Sequence, residues 1–362
     1  MSKQFILIGA KPPSGKVSNP GGQLTASIGL IDFIESMGHK IKVLDTTQSS
    51  FPVPSLKVRL ARGWNRLKDL YYLLKKENVA GVIIFSSSGF SFYERIAQSL
   101  LCRFFSTPDV LFIRSGHFIT SVRSSLTSRI LARILLKIPC KLGIQGTAWA
   151  SFYQEIGIDK SRTLLVRNWL QQDFPVAMTH KNQPKDLLKF VFVGWLVKEK
   201  GIPQLLNAVK LLKSRYSFEL HLVGGGTLEH FCDEFIIREK LQGVVFNHGW
   251  QEKKDVIDIV SKSDVFILPS EAEGFPNALL ESIALGLPAI CTNVGGISDS
   301  LLNGQNGVLL ESNDIHAISD AMSMYLDSPS LVSQHSQKSL EIYEKNHDRR
   351  HNCEILLNQF SK

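Results

Sequence analysis

Leu268-Pro-Ser-Glu-Ala-Glu273-Gly-Phe-Pro276-Asn-Ala-Leu-Leu-Glu281-Ser-Ile-Ala284 is the stretch on which the reading of the whole chain turns. It leaves the apolar run Val265–Leu268, which reads as a buried strand, and enters a helical pattern carried by Leu279, Leu280 and Ile283. Gly274-Phe275-Pro276-Asn277 joins the two. Gly274 is expected to supply a backbone turn that other residues resist, and Pro276 to sit in the first helical turn, where its missing N–H has no partner to lose. The amides exposed at such a helix start, around Phe275, Asn277 and Ala278, can face an anion or hydroxyl groups.

The same strand-to-helix rhythm runs outward in both directions. Phe190–Val193, Glu219–Val223, Val244–Asn247 and Ala289–Cys291 are further strands of the second half, each beside a helix-length segment. The first half has strands at Phe5–Ile8, Ile41–Leu44, Gly81–Phe85 and Val110–Ile113, with helices at Gln23–Met37, Trp64–Lys76 and Phe92–Phe104 between them. Strands alternating with helices of this length are βαβ units of parallel sheets. The expected fold is therefore α/β, two Rossmann-like doubly wound domains facing across a cleft. Residues 1–167 form the first domain, 168–189 a polar linker, 190–340 the second domain, and 341–362 a C-terminal helix packing back on the first. Ligands of such sheets lie outside the carboxyl ends of the strands.

A second motif, Phe192-Val-Gly194-Trp-Leu-Val-Lys198-Glu-Lys200-Gly-Ile-Pro203, ends a strand at Gly194 and starts a helix after Gly201. Lys198 and Lys200 lie in the loop between, where an ammonium can neutralise a diphosphate. Glu281, more than a turn into its helix, can accept hydrogen bonds from a ribose diol, and Glu273 can hold hydroxyls of a sugar. Together, Phe192–Gly201 and Ser270–Ala284 resemble the signature of the large family 4 of retaining glycosyltransferases, which have the two-domain GT-B fold. Val223-Gly-Gly-Gly226, Phe246-Asn-His-Gly-Trp250 and Asn293-Val-Gly-Gly296 are similar to that family's order of βα turns.

The resemblance implies that Glu273 contacts the donor sugar, Glu281 the nucleotide ribose, Lys200 the diphosphate, and the amides of Phe275–Ala278 the transferred sugar. It implies that Pro20-Gly21-Gly22 is a glycine loop near the donor phosphate, and that His117 lies near the reacting carbon. It also implies reaction with retention of configuration, on a nucleotide-sugar donor with a UDP-sugar favoured. In one place the sequence departs from the pattern. Trp195 stands where the family usually has an arginine, so either Lys198 or Arg114 supplies the second charge or the site is weakened.

Composition narrows the classes further. No Asp-x-Asp pair occurs, so neither a metal nor another cofactor is expected, the nucleotide-sugar being a substrate. The five scattered cysteines form no C-x-x-C and suit a reducing, cytoplasmic compartment. Ala10–Val17 comes close to a phosphate-binding P-loop, but Val17 replaces the Ser/Thr that would hold Mg²⁺. Residues 1–165 carry 22 Lys+Arg against 9 Asp+Glu, and residues 166–362 carry 19 against 24. That asymmetry, with basic amphipathic segments at Lys57–Lys76 and Arg123–Lys137, points to an anionic membrane surface as a partner on the inner face of the cell membrane. No nucleic-acid-binding pattern accompanies it. A glycan or polyprenyl-diphosphate-linked acceptor, as in surface-polysaccharide assembly, fits the basic half. The other readings are a sugar-nucleotide epimerase of the same architecture and a non-catalytic nucleotide-sugar-binding subunit.

Overall fold

The computed structural model describes residues 2–12, 22–47, 54–179 and 187–361. The chain divides into two compact units, Met1–Asp173 with Asp348–Lys362, and Phe174–His347. In the first unit, β1 (Gln4–Gly9), α1 (Gly22–Ser36), β2 (Lys40–Asp45), α2 (Leu56–Lys76), β3 (Val79–Ser86), α3 (Phe90–Phe104) and β4 (Asp109–Ile113) alternate without interruption. Two helices, α4 (His117–Arg123) and α5 (Leu126–Leu135), then lead to β5 (Lys141–Ile144), α6 (Thr147–Glu155) and β6 (Thr163–Leu165). The six strands are parallel, in the order β2-β1-β3-β4-β5-β6.

Helices cover both faces of this sheet. Leu30, Phe33 and Ile34 of α1 pack on one side with Phe5, Leu7 and Phe85. The inner residues of α2 to α6, among them Leu70, Ile96, Val122 and Phe152, fill the other. That division follows from the right-handed crossover rule, because only the β1-to-β2 connection runs leftward along the sheet.

The second unit contains β7 (Leu188–Val193), α7 (Ile202–Leu212), β8 (Phe218–Val223), α8 (Glu229–Arg238), β9 (Val245–Asn247), α9 (Lys253–Ser261), β10 (Val265–Leu268) and α10 (Asn277–Ala284). It closes with β11 (Ala289–Thr292), β12 (Gly307–Leu310), α11 (Ile315–Asp327) and α12 (Ser330–His347). Its parallel strands lie in the order β12-β11-β10-β7-β8-β9. Phe190–Phe192, Val265–Leu268 and Ala289–Cys291 are buried without a break, as strands covered on both faces require. No helix among the described residues is long and apolar enough to cross a membrane.

The chain passes from one unit to the other between Asp173 and Phe174, inside the stretch expected as a linker, but the start of that stretch is core rather than linker. Asn168, Trp169 and Leu170 are buried in the first unit, and Trp169 lies against Gly29, where a Cβ would come within 2.7 Å of the indole. Phe174 already belongs to the second unit. The boundary expected at 340 falls inside α12, and the chain changes units between His347 and Asp348.

The last helix, α13 (Arg349–Leu357), returns to the first unit, where Asn352 Oδ1 accepts from Arg167 N at 2.8 Å. Cys353, Leu356 and Phe360 complete the core beside α1. Phe360 occupies the space over Gly81, where a Cβ would sit 2.1 Å from the ring. Gly81→Ala should therefore destabilise the full chain by about 1–3 kcal/mol through overpacking, read by urea denaturation. Adding Phe360→Leu should recover part of the loss.

Candidate active site

β7 and β10 are hydrogen-bonded neighbours, yet the chain leaves them in opposite directions, β7 towards β8 and β10 towards β11. The loops after the two strands therefore diverge and leave a crevice at their carboxyl ends, the switch point where doubly wound sheets bind ligands. The sequence places Lys198-Glu199-Lys200 after β7 and Glu271-Ala272-Glu273 after β10.

Backbone contacts fix these loops against each other. Glu271 N donates to Glu199 O at 2.8 Å, and a Cβ on Gly201, which has φ 73°, would lie 2.2 Å from Pro269 O. Gly201 thus serves as both a left-handed turn and a close approach, which no other residue can combine. The loop after β11 closes the third side, with Gly296 N donating to Gly274 O at 2.8 Å and Thr292 Oγ1 to Ser270 O at 2.5 Å. Within this frame Lys200 Nζ meets Glu273 Oε1 at 2.5 Å, with little of either side chain exposed. Lys198 shares the single 3-10 turn with Lys200 but is exposed.

Two local expectations need correction. Gly274 does not take a positive φ; the left-handed glycine of this region is Gly295, φ 61°, whose Cβ would lie 2.2 Å from Glu273 O. Pro276 is the N-cap of α10, with φ −75° and ψ 120°, and not a residue of its first turn. Asn277 and Ala278 begin the helix, while the Phe275 ring is buried against His347, with centroids 5.3 Å apart. Phe275 can therefore offer a ligand only its backbone.

Glu281 lies in α10, and burial pushes its carboxyl up from 4.5 to about 7, opposed by Lys253. Lys253 opens α9, with its ammonium 5.8 Å from the centre of the Phe174 ring. Sequence reasoning missed this lysine, although it stands three residues beyond the Phe246–Trp250 turn already singled out.

The loops after β7, β8 and β9 are stitched in the same way, by Leu196 N to Gly225 O at 3.0 Å and Gly224 N to Gly249 O at 2.9 Å. They bring Trp195 beside Trp250, with ring centroids 5.4 Å apart. The position expected to hold a cation thus presents an aromatic pair. Arg114 belongs to the other unit, where it lies 4.9 Å over the Phe85 ring and donates to Asn168 Oδ1 at 3.0 Å. Burial lowers its pKa to about 10.

His117, also in the first unit, is the exposed first residue of α4 beyond β4. Gly22 opens α1 beyond β1, whereas Pro20 and Gly21, and Pro13–Val17 of the P-loop-like stretch, lie outside the described residues. The structure thus brings together Gly194, Lys198, Lys200, Glu273, Gly274 and Glu281 on one sheet, and leaves His117 and Gly22 on the other.

Residues 174–346 match the family model of glycosyl transferases group 1, which coincides with the unit holding this crevice. Over almost its whole length that unit is similar to the group 1 glycosyl transferases. It is 26% identical over 270 residues to the capsular polysaccharide biosynthesis glycosyltransferase CapM of Staphylococcus aureus, a match covering 73% of this chain and 64% of that protein. It is 31% identical over 177 residues to the putative teichuronic acid biosynthesis glycosyltransferase TuaC of Bacillus subtilis, covering 49% and 43%. The chain thus spans from under half to under two thirds of the length of these relatives. Among solved structures, Anabaena Alr3699/HepE in complex with UDP matches with a TM-score of 0.72 at 14% identity, over 100% of both chains. The chain therefore shares the GT-B type of fold, each unit being one of its Rossmann-like domains.

The raised Glu281 carboxyl in this unit has a consequence for stability. Between about pH 4.5 and 7 the folded protein holds a proton that the unfolded chain has released, so stability falls as the pH rises through this window. Glu281→Gln should abolish that fall and stabilise the ligand-free protein at pH 8 by on the order of 2–3 kcal/mol. Urea denaturation at pH 5 and pH 8 measures it, and equal pH dependence in both proteins would refute the assignment.

Proposed function

We propose that this chain is a retaining glycosyltransferase that moves a sugar from a nucleotide-sugar, preferentially a UDP-sugar, to a glycan or polyprenyl-diphosphate-linked acceptor during surface-polysaccharide assembly. The Lys200–Glu273 pair, set at the switch point of the unit that matches the group 1 family model, carries the reading. The capsular and teichuronic acid relatives support the kind of product, and the UDP bound to Alr3699/HepE supports the donor class.

In this reading the ammonium of Lys200 moves from Glu273 to the donor diphosphate, where negative charge grows as the bond from the sugar C1 to the phosphate oxygen breaks. Glu273, released from that pair, accepts hydrogen bonds from sugar hydroxyls, and the amides at the start of α10 hold the sugar's other side. Glu281, as a carboxylate, accepts from the ribose diol. The acceptor oxygen bonds to C1 on the face that the phosphate leaves, and its proton passes to the departing phosphate oxygen. Positioning and electrostatics supply the rate, without a covalent intermediate on the protein. No divalent metal takes part in this reading. The protein works on the cytoplasmic side, at the membrane that carries its acceptor.

Incubation with a panel of nucleotide-sugars and lipid extracts, with and without EDTA, tests the proposal. UDP release that requires acceptor and survives EDTA is the expected result, with the product anomer matching the donor. Lys200→Ala should lower kcat about 10²–10³-fold, as removal of a group that stabilises transition-state charge does. Glu281→Ala should mainly raise the donor KM. A product formed from donor alone would point to the epimerase. Nucleotide binding without turnover, in both the wild type and Trp195→Arg, would point to the non-catalytic subunit.

A further inference from the structure

The outer side of the helix layer formed by α2, α3 and α5 does not have the polar surface expected of helices over a sheet. On α2, Leu56, Leu60, Trp64, Lys68, Tyr72 and Lys76 follow at four-residue spacing and are all exposed. At four-residue spacing each side chain is turned about 40° from the one before, so the stripe winds from one flank of the helix across its outer side. Trp64 is 61% exposed, with the Lys68 ammonium 6.0 Å from its ring, and Lys76 stands 5.8 Å from the ring of Tyr72.

The surface continues onto α3. Tyr71 contacts Phe105, with centroids 5.5 Å apart, and Phe105 contacts Phe104, which is 78% exposed. On α5, Leu126 (72% exposed), Ile130 and Ile134 (59%) repeat at the same spacing, and Arg133 and Lys137 flank them. Both stripes lie on helices that pack on the same face of the sheet, and their inner residues belong to one core cluster. Large side chains exposed to this extent, in three neighbouring places, exceed the scattered apolar residues of an ordinary surface.

We infer that this helix layer is a docking face for an anionic lipid bilayer, with α2 and α5 lying in the plane of the headgroups. The charge pattern selects that occupant. On the exposed side of α2, Lys57, Arg62, Lys68, Lys75 and Lys76 are set against Asp69 alone, and α5 has no acidic residue. Apolar side chains reaching below the headgroups while lysine stems carry their ammonium groups back to the phosphates is the arrangement of interfacial helices. An interface between copies of this chain would instead set these like charges against one another. The inference is independent of the chemistry assigned to the second unit.

The test uses the full chain with vesicles of phosphatidylcholine alone or mixed with phosphatidylglycerol, read by flotation. Binding to the mixed vesicles, at least tenfold weaker binding to phosphatidylcholine, and release by raised salt are expected, since exposed charges are screened within about 10 Å at 0.1 M. Trp64→Ser with Phe104→Ser should cut binding at least tenfold by removing apolar anchors. Lys76→Glu with Arg133→Glu should do so by reversing charge. The thermal shift with UDP should stay unchanged in both variants, which separates this face from the donor site. No flotation by the wild type, equal binding to both vesicle types, or variants that bind like the wild type would each overturn the inference. So would light scattering that shows a dimer broken by these substitutions. Loss of the UDP shift in the wild type would count against the donor assignment alone.

Discussion

The adjacency of two parallel strands that lead in opposite directions is the constraint on which the candidate site depends. β7 and β10 are separated in sequence by two further strands and three helices, and meet only because the sheet order reverses between them. That reversal opens the crevice and sets a lysine from one loop against a glutamate from the other. Three loops then lock the arrangement through backbone contacts at Gly201, Gly274 and Gly295. The charged side chains are thereby mounted on a frame that does not rely on flexible packing, as placement to within a fraction of an ångström demands.

Electrostatically the ligand-free crevice is self-neutralised in one part and strained in another. Lys200 and Glu273 compensate each other, whereas Glu281 is desolvated faster than Lys253 can compensate it. A ligand with a diphosphate and hydroxyl groups would supply both kinds of missing partner. It would give Lys200 a second anion, and give Glu281 the hydrogen-bond donors that make its charged form favourable. The site thus has stability to gain on binding, as functional sites often do. The Trp195–Trp250 pair adds two indoles tilted against each other beside the β8 and β9 loops, so this crevice carries less positive charge than an arginine at 195 would give it.

Much of this was legible in the sequence, because the central strands are continuous apolar runs and the site residues stand in turns between opposite periodicities. Phe190–Val193 and Val265–Leu268 announce buried strands, and Glu273 and Lys200 follow them at fixed short distances. Short edge strands were harder to read: β6 and β12 have only three or four residues and no distinctive pattern. Lys253 could not be found by spacing, since its relation to Glu281 exists only through the sheet. The turn at Gly274 was misplaced because the unusual backbone belongs to a glycine twenty-one residues later, across a loop contact. The unit boundary falls inside the expected linker, but the first residues of that linker belong to a core, because a polar composition around Trp169 hides a large buried side chain whose partner is a glycine on α1.

The return of α13 to the first unit has a consequence for the order of events during synthesis. The second unit is one uninterrupted segment and can fold as soon as its last helix has left the ribosome. The first unit has its sheet early, but the side chains of Cys353, Leu356 and Phe360 that close its core are made only after the whole second unit. Until they arrive, Phe5, Leu7 and Phe33 line a half-built layer exposed to solvent, the kind of surface on which nascent chains associate wrongly. Of the two units, the one translated first is therefore finished second.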